Sequence, residues 1–271
     1  MDCQTLLENN LQIVKNKRLG RVVFVVEGNK TEILLLKVIF MNILGYSYIS
    51  HNRNNTDFKF INPKDKNSVV YVFNSANSNI KSILNAEVIA DEVTAYIQEK
   101  YEKDFAIEYA AIYYLFDRDY KSNKSEIVVE LIEKYGNARD ILDNYGRQGM
   151  LLLSYPCIEA YFMECLQKNY ERFRFSLGKE LKPFIEKKKK NPYKIKEQNL
   201  IIGFRNSVKM ARRLKIKYID LDDFSECNKT IFNEQEKLLE KYNSYNLFST
   251  LSFALLDLGV IKCDVGKKKR K

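Results

Sequence analysis

Four short, uninterrupted apolar runs, separated by stretches with helical spacing, limit the folds open to this chain more than any other feature. The runs are residues 21–26, 69–73, 110–116 and 149–154. A strand with apolar side chains on both faces suits a sheet that is covered on both sides. Helical spacing occurs in residues 33–44, 80–101 and 126–135. This alternation predicts an α/β fold with a mainly parallel sheet flanked by helices.

The rest of the chain gives weaker patterns. An amphipathic helix is expected over residues 2–15, and the Asn-rich residues 47–67 are expected to form a loop. A helix should open within residues 156–163, with Pro156 near its first turn, and residues 247–260 look helical. Beyond residue 165 the chain becomes strongly basic. We therefore expect a first domain over residues 1–165 and a helical basic region over 166–271, packed on the first domain or continuous with it.

Length and composition narrow the class of protein. The 271 residues, 45% of them hydrophobic, are enough to bury one large core. The sequence has no apolar run long enough for a membrane span, and its start lacks the order of a secretory signal. The five cysteines are scattered, and His51 is the single histidine, which argues against a zinc site. Free thiols in a reducing cytoplasm are expected.

The chain carries a formal charge of +10. A basic chain favours a polyanionic partner such as nucleic acid, although a Lys-rich composition also serves general solubility. The run Lys187–Lys190 stands among further basic residues, with Tyr170, Phe173 and Tyr193 interleaved. It is either a nucleic-acid surface or a solvated face. The tail, residues 267–271, is expected to be disordered, as a phosphate-binding arm or a charged end.

Acidic residues follow two of the predicted strands. Glu27 comes directly after the first run, and Asp117 and Asp119 come after the third. The ligand crevice of an open α/β sheet lies at these strand ends. Nearby carboxylates repel one another, and a bound divalent cation removes that repulsion; oxygen ligands favour Mg²⁺ or Mn²⁺. The alternative is that these acids shape a turn or cap a helix.

The spacing also assigns roles to the neighbours of these acids. In an extended segment Asp117 and Asp119 face the same side, while Arg118 points away or swings to a phosphate. Glu27 is placed to act as general acid or base, and Lys30 is a candidate phosphate contact at a helix start. Two further acids, Glu159 and Glu32, are candidate ligands for a second metal ion, unless Glu159 only stabilises the N-terminus of its helix.

Three motifs carry a family resemblance. Val-Val-Glu-Gly-Asn-Lys-Thr-Glu at 25–32, Leu-Phe-Asp-Arg-Asp at 115–119 and Ser-Tyr-Pro-Cys-Ile-Glu at 154–159 resemble those of the RloB-like group of Toprim proteins. This group is found among prokaryotic defence and restriction-linked genes. The resemblance implies that Glu27 is the catalytic glutamate and that Asp117 and Asp119 bind metal. The third motif usually reads Ser-Asn-Pro-Cys-Phe-Glu, so Tyr155 and Ile158 depart from it.

These observations predict a Mg²⁺- or Mn²⁺-dependent endonuclease that cleaves DNA or RNA. The predicted catalytic residues are Glu27, Asp117, Asp119 and Glu159; the metal ligands are the same four with Glu32; and the nucleic-acid contacts are Lys30, Arg118 and Lys187–Lys190. Anti-phage defence is implied by the resemblance alone. The sequence has no Walker A motif, so an ATPase partner would be a separate chain. The alternative is a non-catalytic nucleic-acid-binding or regulatory Toprim protein that keeps the acids as structure.

Overall fold

The computed structural model describes residues 1–28, 30–50, 58–74, 80–139 and 149–264. Within this part of the chain the strands are β1 (Asn10–Ile13), β2 (Arg21–Val26), β3 (Ser47–Ser50), β4 (Phe58–Asn62), β5 (Asp65–Asn74), β6 (Ala110–Asp117), β7 (Gly136–Asn137), β8 (Gly149–Tyr155), β9 (Arg174–Phe175), β10 (Tyr245–Asn246), β11 (Phe248–Ser249) and β12 (Ile261–Asp264).

The α-helices are α1 (Cys3–Glu8), α2 (Thr31–Lys37), α3 (Ala86–Lys100), α4 (Ser125–Lys134), α5 (Glu159–Leu166), α6 (Gly178–Lys187), α7 (Glu197–Arg213), α8 (Ser225–Tyr242) and α9 (Leu251–Asp257). A π-helical turn, Val38–Ile43, continues α2. Short 3₁₀ turns cover Ile80–Ile83, Ile107–Tyr109, Tyr170–Arg172 and Pro192–Lys194.

One large sheet dominates the fold. Its strands lie in the order β11, β8, β6, β2, β5, β4, β3, and β7 also pairs with β8. The four central strands β8, β6, β2 and β5 are parallel, and the outer strands pair antiparallel. Separate two-stranded pairs join β1 to β12 and β9 to β10. The prediction of an α/β fold with a mainly parallel sheet flanked by helices is confirmed.

The four apolar runs all form the parallel strands predicted for them. Every residue of β8 is buried, as are all of β6 except its last residue and all of β2 except its first. Strands covered on both faces read as continuous apolar runs, which is why the sequence located them well. The aromatic ring of Phe24 in β2 stacks on Tyr113 of β6, and Phe40 of the π-helical turn packs against Phe24.

The prediction of a loop over residues 47–67 is wrong for the part that is described. Strands β3 and β4 and the start of β5 occupy it, and residues 51–57 lie outside the described residues. In β4 the buried residues Phe58, Phe60 and Asn62 alternate with partly exposed ones, the period-2 pattern of a strand. The buried amide of Asn62 donates hydrogen bonds to two backbone carbonyls, so its polarity did not mark a loop.

Three helix boundaries also differ from the prediction. Helix α1 ends at Glu8. The buried Leu11 and Ile13 then alternate with exposed residues, the pattern of a strand, and this strand is β1, which pairs with β12. Helix α5 begins at Glu159, so Pro156 precedes the helix and does not lie in its first turn. Residues 247–260 contain β11 before α9.

The chain after residue 165 adds to the large sheet, because β11 pairs with the end of β8. Helix α7 packs on α5, and buried residues from both halves of the chain share one hydrophobic core. The division at residue 165 stays a prediction. All five cysteines lie in the described part of the chain and are free. Among the described helices, none has both the length and the apolar character needed to cross a membrane.

Candidate functional site

The candidate site lies where three neighbouring strands end. Strands β2, β6 and β8 are parallel and adjacent, so their carboxyl ends share one edge of the sheet. Glu27 follows β2, Asp117 is the last residue of β6, and Glu159 begins α5 shortly after β8. The topology therefore gathers acids that are far apart in the sequence, as expected for the ligand edge of an open α/β sheet.

Glu27 is held in place by the two strands that flank β2. Its Oε2 accepts a hydrogen bond of 2.8 Å from the backbone N–H of Asp117. The amide of Asn74, the last residue of β5, donates to the Glu27 carbonyl over 3.1 Å. Burial, together with the charges of Glu32 and Asp119, raises the pKa of Glu27 to about 7, although the Asp117 N–H opposes that rise. Such a carboxyl exchanges protons near neutral pH.

Asp117, Cys157 and Glu159 present their donor atoms to one another. One carboxylate oxygen from each acid and the Cys157 Sγ all lie within 4.8 Å of each other. The backbone N–H of Ile158 donates to Asp117 Oδ1 over 2.7 Å, which fixes the carboxylate against the start of α5. Burial raises the pKa of Asp117 well above its usual range, and the charges of Glu32, Glu27 and Glu159 add to the rise.

Glu159 and Glu32 are both only 6% exposed. Glu159 Oε1 accepts a hydrogen bond of 3.4 Å from Thr31 Oγ1 and lies 3.7 Å from the Lys182 ammonium. Its other oxygen, Oε2, is buried and has no hydrogen-bond partner among the described residues. Burial and the charge of Glu159 raise the pKa of Glu32. Among the described residues, the cluster therefore contains a buried carboxylate oxygen without a hydrogen-bond partner.

Gly28 lets Glu32 return to this cluster. A Cβ at residue 28 would lie 2.3 Å from Glu32 Oε2, so no side chain fits there without displacing that carboxylate. Glycine at residue 28 thus leaves room for the Glu32 carboxylate next to the backbone that follows Glu27.

Asp119 lines the same pocket as Asp117 but is engaged within its own turn. Its carboxylate accepts hydrogen bonds from the Lys121 N–H at 3.0 Å and from Ser122 Oγ at 3.2 Å. The turn-shaping alternative considered for this aspartate therefore describes its present contacts. Its charge still reaches the cluster, because it raises the pKa of Glu27.

Arg118 requires a correction. It is 1% exposed, and its guanidinium donates to Glu236 Oε2 at 2.8 Å, Ser125 Oγ at 2.9 Å and the Asn123 carbonyl at 2.7 Å. The guanidinium also lies over the ring of Phe232. Arg118 points away from the acids, and its burial leaves it unable to contact a nucleic-acid phosphate. It ties the Asp-Arg-Asp segment to α8.

The predicted lysine contacts fall into two groups. Lys30 is exposed immediately before α2 and lines a pocket beside Glu159. Lys187, Lys188 and Lys189 are exposed where α6 ends. Lys190 is partly buried, and its ammonium donates to the Leu166 carbonyl over 2.7 Å, so it holds α6 to the end of α5.

Sequence reasoning missed Lys182. Its ammonium pairs with Glu159, and although desolvation lowers its pKa, the charges of Glu159, Cys157, Asp117 and Glu32 raise it overall. Nothing in the local sequence distinguishes this lysine from its neighbours, because its place depends on α6 packing against α5. Cys157 is buried, and burial keeps the pKa of its thiol well above its usual range.

Two pockets are lined by residues of the acid cluster. One, of about 320 Å³, is lined by Asp117, Asp119 and Cys157 together with Lys121, Lys179 and Lys182. The other, of about 310 Å³, is lined by Glu159, Lys182 and Lys30 and by apolar side chains of α2, α5 and α6. Lys182 lines both cavities, and further lysines contribute to the lining of each. His51 and residues 267–271 lie outside the described residues.

Comparison of the chain with protein-family models, with curated proteins and with solved structures finds no match in any of the three. The resemblance to the RloB-like Toprim group therefore stays a prediction that rests on three motifs.

Proposed function

We propose that this protein is a Mg²⁺- or Mn²⁺-dependent nuclease that cleaves phosphodiester bonds in nucleic acid. The observation that carries the proposal is the buried Oε2 of Glu159, which finds no hydrogen-bond partner in the described part of the chain and lies in a cluster with Asp117, Glu27 and Glu32. A buried carboxylate oxygen without a partner is costly, and a cation is the partner that also relieves the repulsion within the cluster.

The donor set fits a hard divalent ion. Asp117 and Glu159 offer oxygen atoms close together, and Glu27, Glu32 and Asp119 add negative charge nearby. The Cys157 thiol stays protonated because burial raises its pKa, so it is a poor ligand for a soft ion. Carboxylate oxygens without thiolate or imidazole favour Mg²⁺ or Mn²⁺ over zinc. Asp117 and Glu159 would hold the ion, with Glu27, Glu32 and Asp119 as further ligands.

When bound, such an ion activates water and neutralises the charge of the phosphate that is attacked. The chain's own residues supply the rest. Glu27, held by the Asp117 N–H at the edge of the cluster, can take a proton from the attacking water or return one to the leaving oxygen. The Lys182 ammonium can hold a phosphate oxygen beside Glu159, and Lys30 can hold the neighbouring phosphate.

The partner class follows from charge. The formal charge of +10 and the exposed lysines around both pockets support a nucleic-acid substrate. A role in anti-phage defence, a cytoplasmic location and an ATPase encoded as a separate chain are proposals that rest on the motif resemblance and on composition.

A second candidate is a non-catalytic nucleic-acid-binding or regulatory protein. Two observations favour it: the Asp119 carboxylate is engaged by Lys121 and Ser122, and Lys182 already neutralises part of the cluster. In that protein the acids would be structural, and no phosphodiester would be cut.

The two candidates are separated by incubating purified protein with plasmid, single-stranded DNA and tRNA in Mg²⁺, Mn²⁺ or EDTA. A nuclease cleaves at least one substrate, and EDTA stops it. Glu27→Gln keeps the size of the side chain but cannot shuttle a proton, so cleavage should fall by about 10²- to 10⁴-fold. Glu126→Gln, an exposed change on α4, is the matched control and should cleave normally. Full activity in Glu27→Gln would refute the role given to that residue, and cleavage that survives EDTA would refute the metal dependence.

A further inference from the structure

The pocket beside Glu159 offers apolar contacts in addition to positive charge. Its walls include the apolar side chains of Leu34, Phe162, Ile185 and Pro192, while Lys30, Lys182 and Lys190 bring positive charge. Glu186 is the second acid that lines it. A pocket lined by both apolar side chains and cationic groups matches one nucleotide, which has a flat hydrophobic base and an anionic phosphate.

The size of this pocket limits what enters it. Its volume of about 310 Å³ is at the lower end of small-ligand pockets, which span about 300 to 1,000 Å³. A base inside a duplex is stacked on both faces and cannot lay a face on the apolar side chains of this pocket without leaving the stack. A strand that is already unpaired enters at a lower free-energy cost.

An exposed aromatic residue stands beside this pocket. Tyr193 is 69% exposed and belongs to the 3₁₀ turn Pro192–Lys194, whose first residue lines the pocket. The turn packs against α2, and Lys194 and Lys196 next to it are exposed. An aromatic ring held in water between lysines is the arrangement used to stack unpaired bases while cations follow the backbone.

We propose that the substrate is single-stranded nucleic acid, with one unpaired base in the pocket beside Glu159 and a neighbouring base stacked on Tyr193. This deepens the proposed function, because it places the phosphate next to the bound nucleotide at Lys182 and at the acids. Single-stranded DNA and single-stranded RNA share the chemistry that this surface recognises.

The test is a binding titration in EDTA, so that no cleavage is needed. Fluorescent 20-nucleotide DNA and RNA strands are compared with the duplexes of the same sequence. At least one single strand should bind more tightly than its duplex. Tyr193→Ala should weaken single-strand binding by about 5- to 150-fold, the worth of one stacked base, and leave duplex binding nearly unchanged. Tyr193→Trp should restore the affinity.

Tyr109→Ala is the matched control. Tyr109 is 74% exposed but directly precedes β6, at the opposite edge of the sheet from the acids. Tyr109→Ala should therefore leave the affinity for single strands and for duplexes unchanged. Leu34→Trp fills the pocket with a larger side chain and should also weaken single-strand binding, with folding checked by thermal melting. If that variant does not fold, the Tyr193 variants decide.

Equal or tighter binding of both duplexes, or an unchanged affinity in Tyr193→Ala, overturns the inference. Its failure can be told apart from failure of the proposed function. Single-strand binding that depends on Tyr193, in a protein that cuts nothing, refutes the nuclease alone. Cleavage that depends on Asp117 but is indifferent to Tyr193 and to strandedness refutes the single-strand inference alone.

Discussion

The backbone N–H of Asp117 donates a 2.8 Å hydrogen bond to the Glu27 carboxylate. This bond joins the ends of β2 and β6 and brings together two acids whose charges repel. The hydrogen bond favours the ionised form of Glu27, yet burial and the neighbouring acids outweigh it. The metal-free cluster is therefore most stable when it is partly protonated, and its stability depends on pH.

Without metal, the protein should lose stability as pH rises from about 5 to 8. The folded Glu27 has a pKa of about 7 against an ordinary value of 4.5, and the pKa values of Asp117 and Glu32 are also raised. Over this window the unfolded chain releases these protons first, so deprotonation favours unfolding. Thermal melting in EDTA at several pH values measures the effect. A melting temperature that rises steadily from pH 5 to 8 would contradict it.

Two controls accompany that measurement. Asp117→Asn should flatten the decline, because it removes one of the repelling charges, and Mg²⁺ should raise the melting temperature at pH 8 more than at pH 5. Loss of stability below about pH 4.5 belongs to other groups, such as Glu102. The hydrogen bond from Arg21 lowers the pKa of Glu102. Glu102 therefore stabilises the fold while its carboxyl group is ionised, and that stabilisation is lost when the group is protonated.

Asp117→Ala and Glu159→Ala should each weaken Mn²⁺ binding at least tenfold while leaving the fold intact. Both acids offer oxygens in the same cluster, and removing one charge relieves repulsion, so metal-free stability should hold or rise slightly. Calorimetric titration measures the affinity, and Glu126→Ala serves as the control. Unchanged Mn²⁺ affinity in both variants would exclude a metal site here.

Lys182→Met should move two readouts in opposite directions. The ammonium lies 3.7 Å from Glu159 and opposes a cation there, so its removal should tighten Mn²⁺ binding. Cleavage should fall, because a phosphate contact is lost. Lys103→Met, an exposed change after α3, should affect neither readout strongly. If Lys182→Met weakened metal binding, the pair with Glu159 would be supporting the site and not competing with the ion.

Replacing Lys187, Lys188 and Lys189 with Ser should weaken nucleic-acid binding and flatten its salt dependence. All three are exposed, and each phosphate contact that is lost reduces the slope of log affinity against log salt by about 0.7 to 0.9. Lys190→Met should instead lower thermal stability, because its ammonium holds the Leu166 carbonyl. An identical slope in the triple variant would show that the run is only solvated.

Glu236→Ala should destabilise the fold by about 3 kcal/mol, because it leaves the buried guanidinium of Arg118 without its counter-charge. Replacing both partners with apolar residues, as in Arg118→Met with Glu236→Leu, should be less damaging. Glu133→Ala removes an exposed pair with Lys229 and should change stability by less than about 1 kcal/mol. Chemical denaturation compares the three. Equal losses of unfolding free energy in Glu236→Ala and Glu133→Ala would show that the buried pair of Arg118 and Glu236 does not form in solution.

The strand ends could be predicted from the sequence because the signal is local. Each buried strand is a continuous apolar run, and Glu27 and Asp117 stand where the runs end. The residues that complete the site carry no such signal. Lys182 reaches it only because α6 packs beside α5.

Arg118 illustrates the opposite error. Alternation along the strand correctly predicted that Arg118 points away from Asp117. Only the packed structure shows that its guanidinium binds Glu236 of α8 there. The short polar strands were missed for a related reason. Asn62 reads as a loop residue until the carbonyls that accept its hydrogen bonds are known.

The pair of Arg118 and Glu236 also sets an order of events during synthesis. The two residues are separated by 118 positions in the chain. At about 5 to 20 residues per second, roughly 6 to 24 s pass between the emergence of the aspartates and the arrival of the carboxylate that anchors them. Until then the guanidinium has only its local partners, the Asn123 carbonyl and Ser125 Oγ, and no counter-charge from α8. Lys182 arrives partway through that interval. A growing chain on the ribosome therefore lacks the finished acid cluster until Glu159 and Lys182 have been added, and its Asp-Arg-Asp segment is anchored to α8 only after Glu236 has followed.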